Sequence, residues 1–440
     1  MKVIRPAIGT VDKICGKQNR LPGRYYRVSK HCLSIEHEDG MLLYHTLTGS
    51  LILLSKNESM EDCREELIRD WFLVPEDFSE KQFSDDIHRI LKMMQPAVSA
   101  RTDFTVLTTT DCNARCFYCY EIGISRISMD EETAAAAAAY MIRASRGNPI
   151  RIRWFGGEPL YNVKAIEIIC RALRDQGAEF ESSMVSNGYY LDREMIRKAC
   201  RDWKLKKVQI TIDGTEGTYN RTKAYIEHDG NPYARVMDNI REALEAEISI
   251  TIRMNMDAGN AEDLMLLLDD VQKRFSGYTN LEVYIALLHE FKGKIHKNDS
   301  EAQTEQAYYA LRNKAKEMEI LRQKELKDSV STTRCMADNE RCETILPDGR
   351  TGCCEHYCEA MVTGNIWDDM RNKRVEAQWQ KPLQVPECSE CVLYPQCRKL
   401  EMCEWNRDGC GETDRRIRIQ EMKEQIITVY EKYQKGEGRK

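Results

Sequence analysis

The chain has 440 residues, a formal net charge of −6 and 31% charged residues. This length is sufficient for two or three domains with a full hydrophobic core. No strongly basic stripe is present, which argues against a nucleic-acid partner. No apolar run is long enough for a membrane helix, and the N-terminus lacks the apolar core of a signal peptide. We therefore expect a cytoplasmic protein with no membrane partner.

The number and placement of cysteines are unusual. The chain has 18 cysteines, of which three lie between Cys112 and Cys119 and ten between Cys335 and Cys410. A reducing compartment does not favour disulfides, so the clustered cysteines predict metal or iron–sulfur ligands. The five scattered cysteines are expected to be core thiols: Cys15, Cys32, Cys63, Cys170 and Cys200.

Residues 1–95 predict an α+β module, with a β-hairpin pattern followed by helices near 61–71 and 80–94. From 96 to 295, β-rich runs alternate with helical runs, which predicts parallel strands in a barrel or an open sheet. The six predicted strands are Phe104–Thr110, Ile150–Phe155, Phe180–Ser186, Lys207–Ile212, Ile248–Met256 and Leu281–Leu288. Ser128 with Glu131 predicts a capping box, and Asn231 before Pro232 predicts another helix start.

The remaining chain divides into three predicted segments. Residues 296–333 predict a helical linker, and residues 334–413 a Cys-rich domain in which metal clusters replace a hydrophobic core. Residues 414–440 predict a closing helix.

The first cysteine group, Cys112-x3-Cys116-x2-Cys119, follows the first predicted strand of the alternating region. Three thiolates in one short loop can hold three irons of a cubane and leave the fourth iron open to another ligand. A zinc site and buried structural thiols are the alternatives. Structural zinc requires four ligands, and no histidine lies near this loop.

A second motif, Trp154-Phe-Gly-Gly-Glu-Pro159, follows the second predicted strand. Glycines let a backbone approach a ligand closely, and Glu158 can pair with an ammonium group. Alone, the Gly-Gly-Glu-Pro segment is also typical of a plain turn. Together with the cysteine group, it resembles the radical S-adenosylmethionine (SAM) superfamily.

This resemblance implies an α/β fold: a partial (β/α)6 barrel of the radical SAM type, with an N-terminal α+β module and a C-terminal Cys-rich iron–sulfur domain. It implies SAM bound at the open iron of a [4Fe–4S] cluster on Cys112, Cys116 and Cys119. It also implies SAM contacts at Tyr118, Gly156, Gly157, Glu158, Pro159, Ser186, Asn187, Asp213 and Arg253. For residues at strand ends, a turn or a solvated polar side chain is the alternative.

The later cysteines are similar to the SPASM domain of peptide-modifying radical SAM enzymes. By this resemblance, two auxiliary [4Fe–4S] clusters would be bound, one by Cys335, Cys342, Cys354 and Cys403 and the other by Cys388, Cys391, Cys397 and Cys410. The spacing from Cys397 to Cys403 departs from the family pattern, and Cys353 competes with Cys354. Zinc sites, or a single auxiliary cluster, stay open as alternatives.

The resemblance further implies that SAM is cleaved reductively and that the 5′-deoxyadenosyl radical takes a hydrogen atom from the substrate. The N-terminal module looks like a leader-recognising domain, which would bind a peptide by strand addition; a simple cap on the barrel is the alternative. We expect a leader-bearing peptide or protein substrate and an electron donor such as flavodoxin or ferredoxin. The product would carry a thioether or carbon–carbon crosslink, or an epimerised residue.

Two other functions stay open. A maturase of anaerobic sulfatases, which forms formylglycine, usually has Asp after the glycine-spaced cysteine, whereas Glu355 follows Cys354 here and would be its base. A non-enzymatic iron–sulfur electron carrier is the other, although such a carrier has no need of a SAM-binding motif.

Overall fold

The structure is a computed structural model that describes residues 1–7, 11, 13–14, 25–95, 98–227, 230–288, 301–322, 324–327, 330–356, 362–368, 370–397, 399–406 and 410–436. The chain divides into two compact units. The terminal unit consists of residues 1–97, 323–335 and 381–440, and the central unit of residues 98–322 and 336–380. The predicted Cys-rich segment is thus divided between the two units.

The strands are β1 (Lys2–Arg5), β2 (Tyr26–Val28), β3 (Cys32–His37), β4 (Gly40–His45), β5 (Leu51–Ser55), β6 (Leu73–Pro75), β7 (Asp103–Thr109), β8 (Ile150–Gly156), β9 (Phe180–Ser186), β10 (Leu205–Thr211), β11 (Ser249–Met256), β12 (Leu281–Leu287), β13 (Cys342–Ile345), β14 (Arg350–Gly352) and β15 (Val362–Asn365). The helices are α1 (Arg64–Arg69), α2 (Glu80–Met94), α3 (Glu131–Ser145), α4 (Val163–Asp175), α5 (Arg193–Asp202), α6 (Glu216–Lys223), α7 (Pro232–Glu245), α8 (Ala261–Phe275), α9 (Glu301–Glu317), α10 (Lys373–Trp379) and α11 (Glu412–Gln434).

The central unit is built on one sheet with the strand order β12-β11-β10-β9-β8-β7-β13-β14-β15. Strands β7 to β12 are parallel and neighbour one another in chain order, with helices between them. This arrangement confirms the predicted α/β fold class and its six βα units. Because the carboxyl ends of parallel strands share one edge, the loops after β7 to β11 are brought together there.

Local sequence explains where the helices of this unit begin. Asp130, not Ser128, caps α3, because its side chain accepts a hydrogen bond from Thr133 N at 2.8 Å. Ser128 Oγ lies 2.8 Å from Thr109 Oγ1 instead, so the predicted capping box was wrong by two residues. The prediction at Asn231 is confirmed, since its side chain accepts from the amide of Ala234, near the start of α7.

The terminal unit contains a four-stranded antiparallel sheet with the order β1-β5-β4-β3 and a small sheet of β2 and β6. Side chains alternate along a strand, so β4 buries Leu42 and Tyr44 on one face and Leu43 on the other. The face with Leu42 packs against Ile426 and Tyr430 of α11. The predicted closing helix is therefore part of the core of this unit.

The scattered cysteines differ in burial. Cys63 and Cys170 are buried as expected, and Cys32 is half-buried. Cys200 is exposed, so its prediction as a core thiol was wrong: it follows buried Ala199 on α5 and is turned away from that buried face. Cys15 lies outside the described residues. Within the described parts of the chain, no helix is long and apolar enough to cross a membrane.

Candidate functional site

The loop that carries the first three cysteines joins β7 to α3 and is called here the cysteine loop (residues 110–130). All three of its thiols are half-buried. Cys112 Sγ accepts from Ala114 N at 3.3 Å and faces Asn187 Nδ2 at 3.8 Å. Burial raises the pKa of Cys112 and Cys119 to about 12. A bound cation would therefore be needed to hold these groups as thiolates at neutral pH.

Gly156 and Gly157 pack directly against the start of the cysteine loop. Gly157 N donates to Thr109 O, and Glu158 N donates to Asp111 O, each at 3.0 Å. A Cβ on Gly157 would lie 2.3 Å from Asp111 O, and one on Gly156 would lie 2.1 Å from Thr109 O. The close approach that these glycines permit is therefore to the backbone of the cysteine loop, whereas we had expected it to be to a ligand.

Glu158 joins the ends of β8 and β9. Its carboxylate is fully buried and accepts from Leu160 N at 3.0 Å and Asn187 N at 2.8 Å. Ser186 Oγ lies 2.9 Å and 3.1 Å from its two oxygens. Burial raises the pKa of Glu158 to about 7, although these donors act in the opposite direction. Pro159 follows as the first residue of a 3-10 turn.

Asn187 connects this strand end to the cysteine loop. Its Nδ2 donates to Asn113 Oδ1 at 2.7 Å, in addition to its contact with Cys112 Sγ. The predicted residues Glu158, Ser186 and Asn187 thus lie in one hydrogen-bonded group that reaches the first cysteine.

Tyr118 connects the cysteine loop to the end of β10. Its hydroxyl donates to Asp213 Oδ2 at 2.6 Å and accepts from Lys223 Nζ at 3.1 Å. Lys223 also forms an ion pair of 3.0 Å with Asp213. Sequence reasoning missed Lys223, because a lysine in the last turn of a helix is typically solvated.

Arg253 and Asn255 on β11 extend the same network. Asn255 Nδ2 donates to Asp213 Oδ1 at 3.1 Å, and Arg253 Nε donates to Asn255 Oδ1 at 2.8 Å. The carboxylate of Asp213 is therefore held by three protein partners, Tyr118, Lys223 and Asn255. The predicted residues from four strand ends all converge on the cysteine loop.

The turn after β14 also reaches this loop. The rings of Tyr120 and His356 lie 4.4 Å apart, and Cys354 Sγ lies 3.7 Å from Glu355 Oε2. Burial raises the pKa of Tyr120, and the carboxylates of Glu121 and Glu355 add to this shift. The structure thus places Glu355, the candidate base, near the cysteine loop.

Cys353 and Cys354 face different surroundings. Cys353 lines a cavity of about 730 Å³ together with Arg101, Arg371 and Glu376. Burial and the neighbouring Glu376 carboxylate raise the pKa of Cys353 to about 12. Cys354, by contrast, lies with Glu355 near Tyr120. The two neighbouring thiols therefore differ in their surroundings, and the choice of Cys354 as the ligand stays a prediction.

Four of the later cysteines lie close together in the terminal unit. Burial raises the pKa of both Cys388 and Cys391, and the charges of Cys397 and Cys410 raise each further. These four thiols are the ligands predicted for one auxiliary cluster, and a group of four thiols fits a tetranuclear cluster or a zinc ion.

The other predicted auxiliary set is divided between the two units. Cys335 and Cys403 belong to the terminal unit, and Cys342 and Cys354 to the central unit. Cys335 is exposed, while the other three are half-buried. This set stays a prediction.

Residues 106–271 match the sequence profile of the radical SAM superfamily, so the chain contains a radical SAM domain. An uncharacterized protein of Methanocaldococcus jannaschii, MJ0907, is 33% identical over 110 residues, which is 24% of this chain and 37% of that protein. A probable GTP 3′,8-cyclase of Archaeoglobus fulgidus is 29% identical over 157 residues, 35% of this chain and 48% of that protein. The match thus covers less than half the length of each of these curated relatives.

Solved structures of two proteins share the fold. The protein anSMEcpe with bound AdoMet and the Cp18Cys peptide aligns with a TM-score of 0.56 and 14% identity, over 75% of this chain and 99% of that chain. Streptococcus suis SuiB bound to precursor peptide SuiA aligns with a TM-score of 0.54 and 10% identity, over 89% of this chain and 98% of that chain. At this identity, the likeness shows the fold alone.

Proposed function

We propose that this chain, which contains a radical SAM domain, cleaves SAM reductively and uses the resulting radical to modify a peptide. The observation that carries the proposal is the packing of the Gly156–Glu158 turn on the cysteine loop. It brings a buried carboxylate, three thiols and four strand ends to one edge of the parallel sheet.

The cysteine loop fits a [4Fe–4S] cluster with an open iron. It provides three thiols, and N–H groups of Ala114 and Asn187 face the first of them, as is typical of iron–sulfur ligands. When bound, such a cluster supplies the electron that breaks the C5′–S bond of SAM. Hydrogen bonds within the chain hold the surrounding residues in place. The carboxylate of Glu158 accepts from Ser186 and Asn187, and that of Asp213 accepts from Tyr118.

A second cluster is supported by the four neighbouring thiols Cys388, Cys391, Cys397 and Cys410. A third would use Cys335, Cys342, Cys354 and Cys403. Either would accept an electron from the modified substrate or bind the substrate directly, and an external electron donor such as flavodoxin or ferredoxin would reduce the first cluster.

A leader-bearing peptide is the proposed substrate. Strands β1 and β3 are the two edges of the antiparallel sheet, and among the described residues no further strand pairs with either edge. An open edge can receive a peptide as an added strand. The fold that this chain shares with two peptide-bound proteins, anSMEcpe and SuiB, supports a peptide further.

Formation of formylglycine is the second candidate. Its specific support is the shared fold with anSMEcpe and the position of Glu355 near the cysteine loop, where a carboxylate would take a proton from a Cys or Ser of the substrate.

The test is an anaerobic assay with dithionite, SAM and three substrates: a precursor peptide encoded beside the gene, a sulfatase peptide, and GTP. Formation of 5′-deoxyadenosine with a mass change in the precursor peptide is expected. Cys112→Ala should abolish both products, whereas Cys200→Ala, which changes an exposed thiol, should not. A mass change only in the sulfatase peptide would favour formylglycine, and conversion of GTP alone would contradict a peptide substrate.

A further inference from the structure

A buried ion pair lies beside the cysteine loop. Lys223 Nζ is 3.0 Å from Asp213 Oδ2, and the two side chains are 4% and 2% exposed. Burial opposes the charge of Lys223, but Asp213 outweighs this effect and the pKa of Lys223 is raised. Lys223 is thus charged at neutral pH, in a region where solvent screens its field weakly.

Lys223 is attached to the cysteine loop by both its backbone and its side chain. Its carbonyl oxygen accepts from Arg115 N at 2.8 Å. Its ammonium group donates to the hydroxyl of Tyr118, which lies between the second and third cysteines, and is 5.8 Å from the centre of that ring. The ammonium position relative to the three thiols is therefore fixed by direct contacts.

The field of Lys223 reaches the thiols themselves. Lys223 interacts electrostatically with both Cys116 and Cys119, the second and third cysteines of the loop. Under the proposed function Asp213 holds Tyr118, and no role is assigned there to Lys223 or to the charge of the pair.

We propose that Lys223 and Asp213 are positioning residues that set the reduction potential of the cluster on the cysteine loop, with opposite signs. This inference rests on the proposed function. Reduction adds negative charge to a cluster, so a fixed ammonium group favours the reduced state and a fixed carboxylate opposes it. The pair would keep the site nearly neutral while holding Tyr118 in place.

The test is a redox titration of the full-length, reconstituted protein, followed by electron paramagnetic resonance. The signal to follow is the one that is absent when Cys112, Cys116 and Cys119 are all changed to Ala, which separates it from any auxiliary cluster. Lys223→Met should shift the potential to more negative values, and Asp213→Asn to less negative values. Lys223→Arg keeps the charge and should keep the potential.

Two controls separate charge from structure. Tyr118→Phe removes the hydroxyl without a change of charge, so it should shift the potential less than either charge variant. Lys164→Met removes the same charge from an exposed ion pair with Glu131 and should leave the potential unchanged. If Lys223→Met does not fold, the direction in which Asp213→Asn shifts the reduction potential still tests the inference.

The outcomes distinguish this inference from the proposed function. Shifts of Lys223→Met and Asp213→Asn in the same direction, or no shift in proteins that hold the cluster, would overturn the role of the pair and leave the proposed function intact. If the wild-type protein and the triple cysteine variant give the same signals, no cluster is bound by the cysteine loop. That result would contradict both this inference and the proposed function.

Discussion

The hydroxyl of Ser186 lies within 3.1 Å of both carboxylate oxygens of Glu158, so the end of β9 is tied to the turn after β8. The same carboxylate accepts from the amide of Asn187, whose side chain reaches Cys112. A single buried carboxylate therefore links the Gly-Gly-Glu-Pro turn to the first cysteine of the loop. This link has consequences for ligand binding, for stability and for cluster assembly.

Glu158→Gln should weaken SAM binding. An amide in place of the carboxylate removes the negative charge and turns one acceptor into a donor that faces the N–H groups of Leu160 or Asn187. The loss of charged, buried hydrogen bonds costs about 1–3 kcal/mol, which corresponds to a rise of roughly 5-fold to 150-fold in the Kd of SAM. Equilibrium binding measurements test this, with Glu181→Gln, a change at an exposed residue of β9, as control. Equal Kd values of SAM for the wild type and Glu158→Gln would contradict a role of Glu158 in SAM binding.

Glu158 should also make stability depend on pH. Burial raises its pKa from 4.5 to about 7, so between these values the unfolded chain releases its proton before the folded protein does. The free energy of unfolding should therefore fall as the pH rises through this window, by about 3 kcal/mol relative to Glu158→Gln. Denaturant unfolding of both metal-free proteins at pH 5 and pH 8 measures the difference. A difference that does not change with pH would argue against a buried, neutral Glu158 at low pH.

Gly157→Ala should disturb cluster assembly. The added Cβ would lie 2.3 Å from Asp111 O, a backbone atom that cannot turn away as a side chain can. Such overpacking costs about 1–3 kcal/mol and would displace the cysteine loop. We expect a lower thermal midpoint and less iron after reconstitution. Gly277→Ala, where nothing lies within 4 Å of the new Cβ, is the matched control and should retain full iron content.

Cys353 and Cys354 should differ in their effect on iron content. Cys353 lines a cavity with Arg371 and Glu376, whereas Cys354 lies near Tyr120. Cys354→Ala should therefore lose about four irons per chain, and Cys353→Ala should lose none. Iron analysis of both variants after anaerobic reconstitution distinguishes them. The reverse pattern would assign the auxiliary ligand to Cys353.

Much of the central unit could be predicted because its signals are local. The six β-rich runs gave strands within two residues of those observed, and the cysteine spacing marked the loop after the first of them. Asn231 before Pro232 marked a helix start for the same reason. These features depend on short segments whose local conformational preferences agree with the overall fold.

Other features depend on partners that are distant in sequence. Nothing near Lys223 indicates that it is buried, because its partner Asp213 and its acceptor Tyr118 lie on other elements. The sequence likewise does not indicate that Lys223 and Asn255 contact the carboxylate of Asp213, which only the fold shows. The packing of α11 on the N-terminal sheet likewise joins residues from the two ends of the chain.

The most direct test of the account is the iron and sulfide content of the protein after strictly anaerobic purification and reconstitution, beside a variant with Cys112, Cys116 and Cys119 all changed to Ala. We predict about twelve irons per chain, falling to about eight in the variant, as three four-iron clusters require. A folded wild-type protein that binds zinc and no iron would contradict the central claim that the cysteine loop holds a [4Fe–4S] cluster.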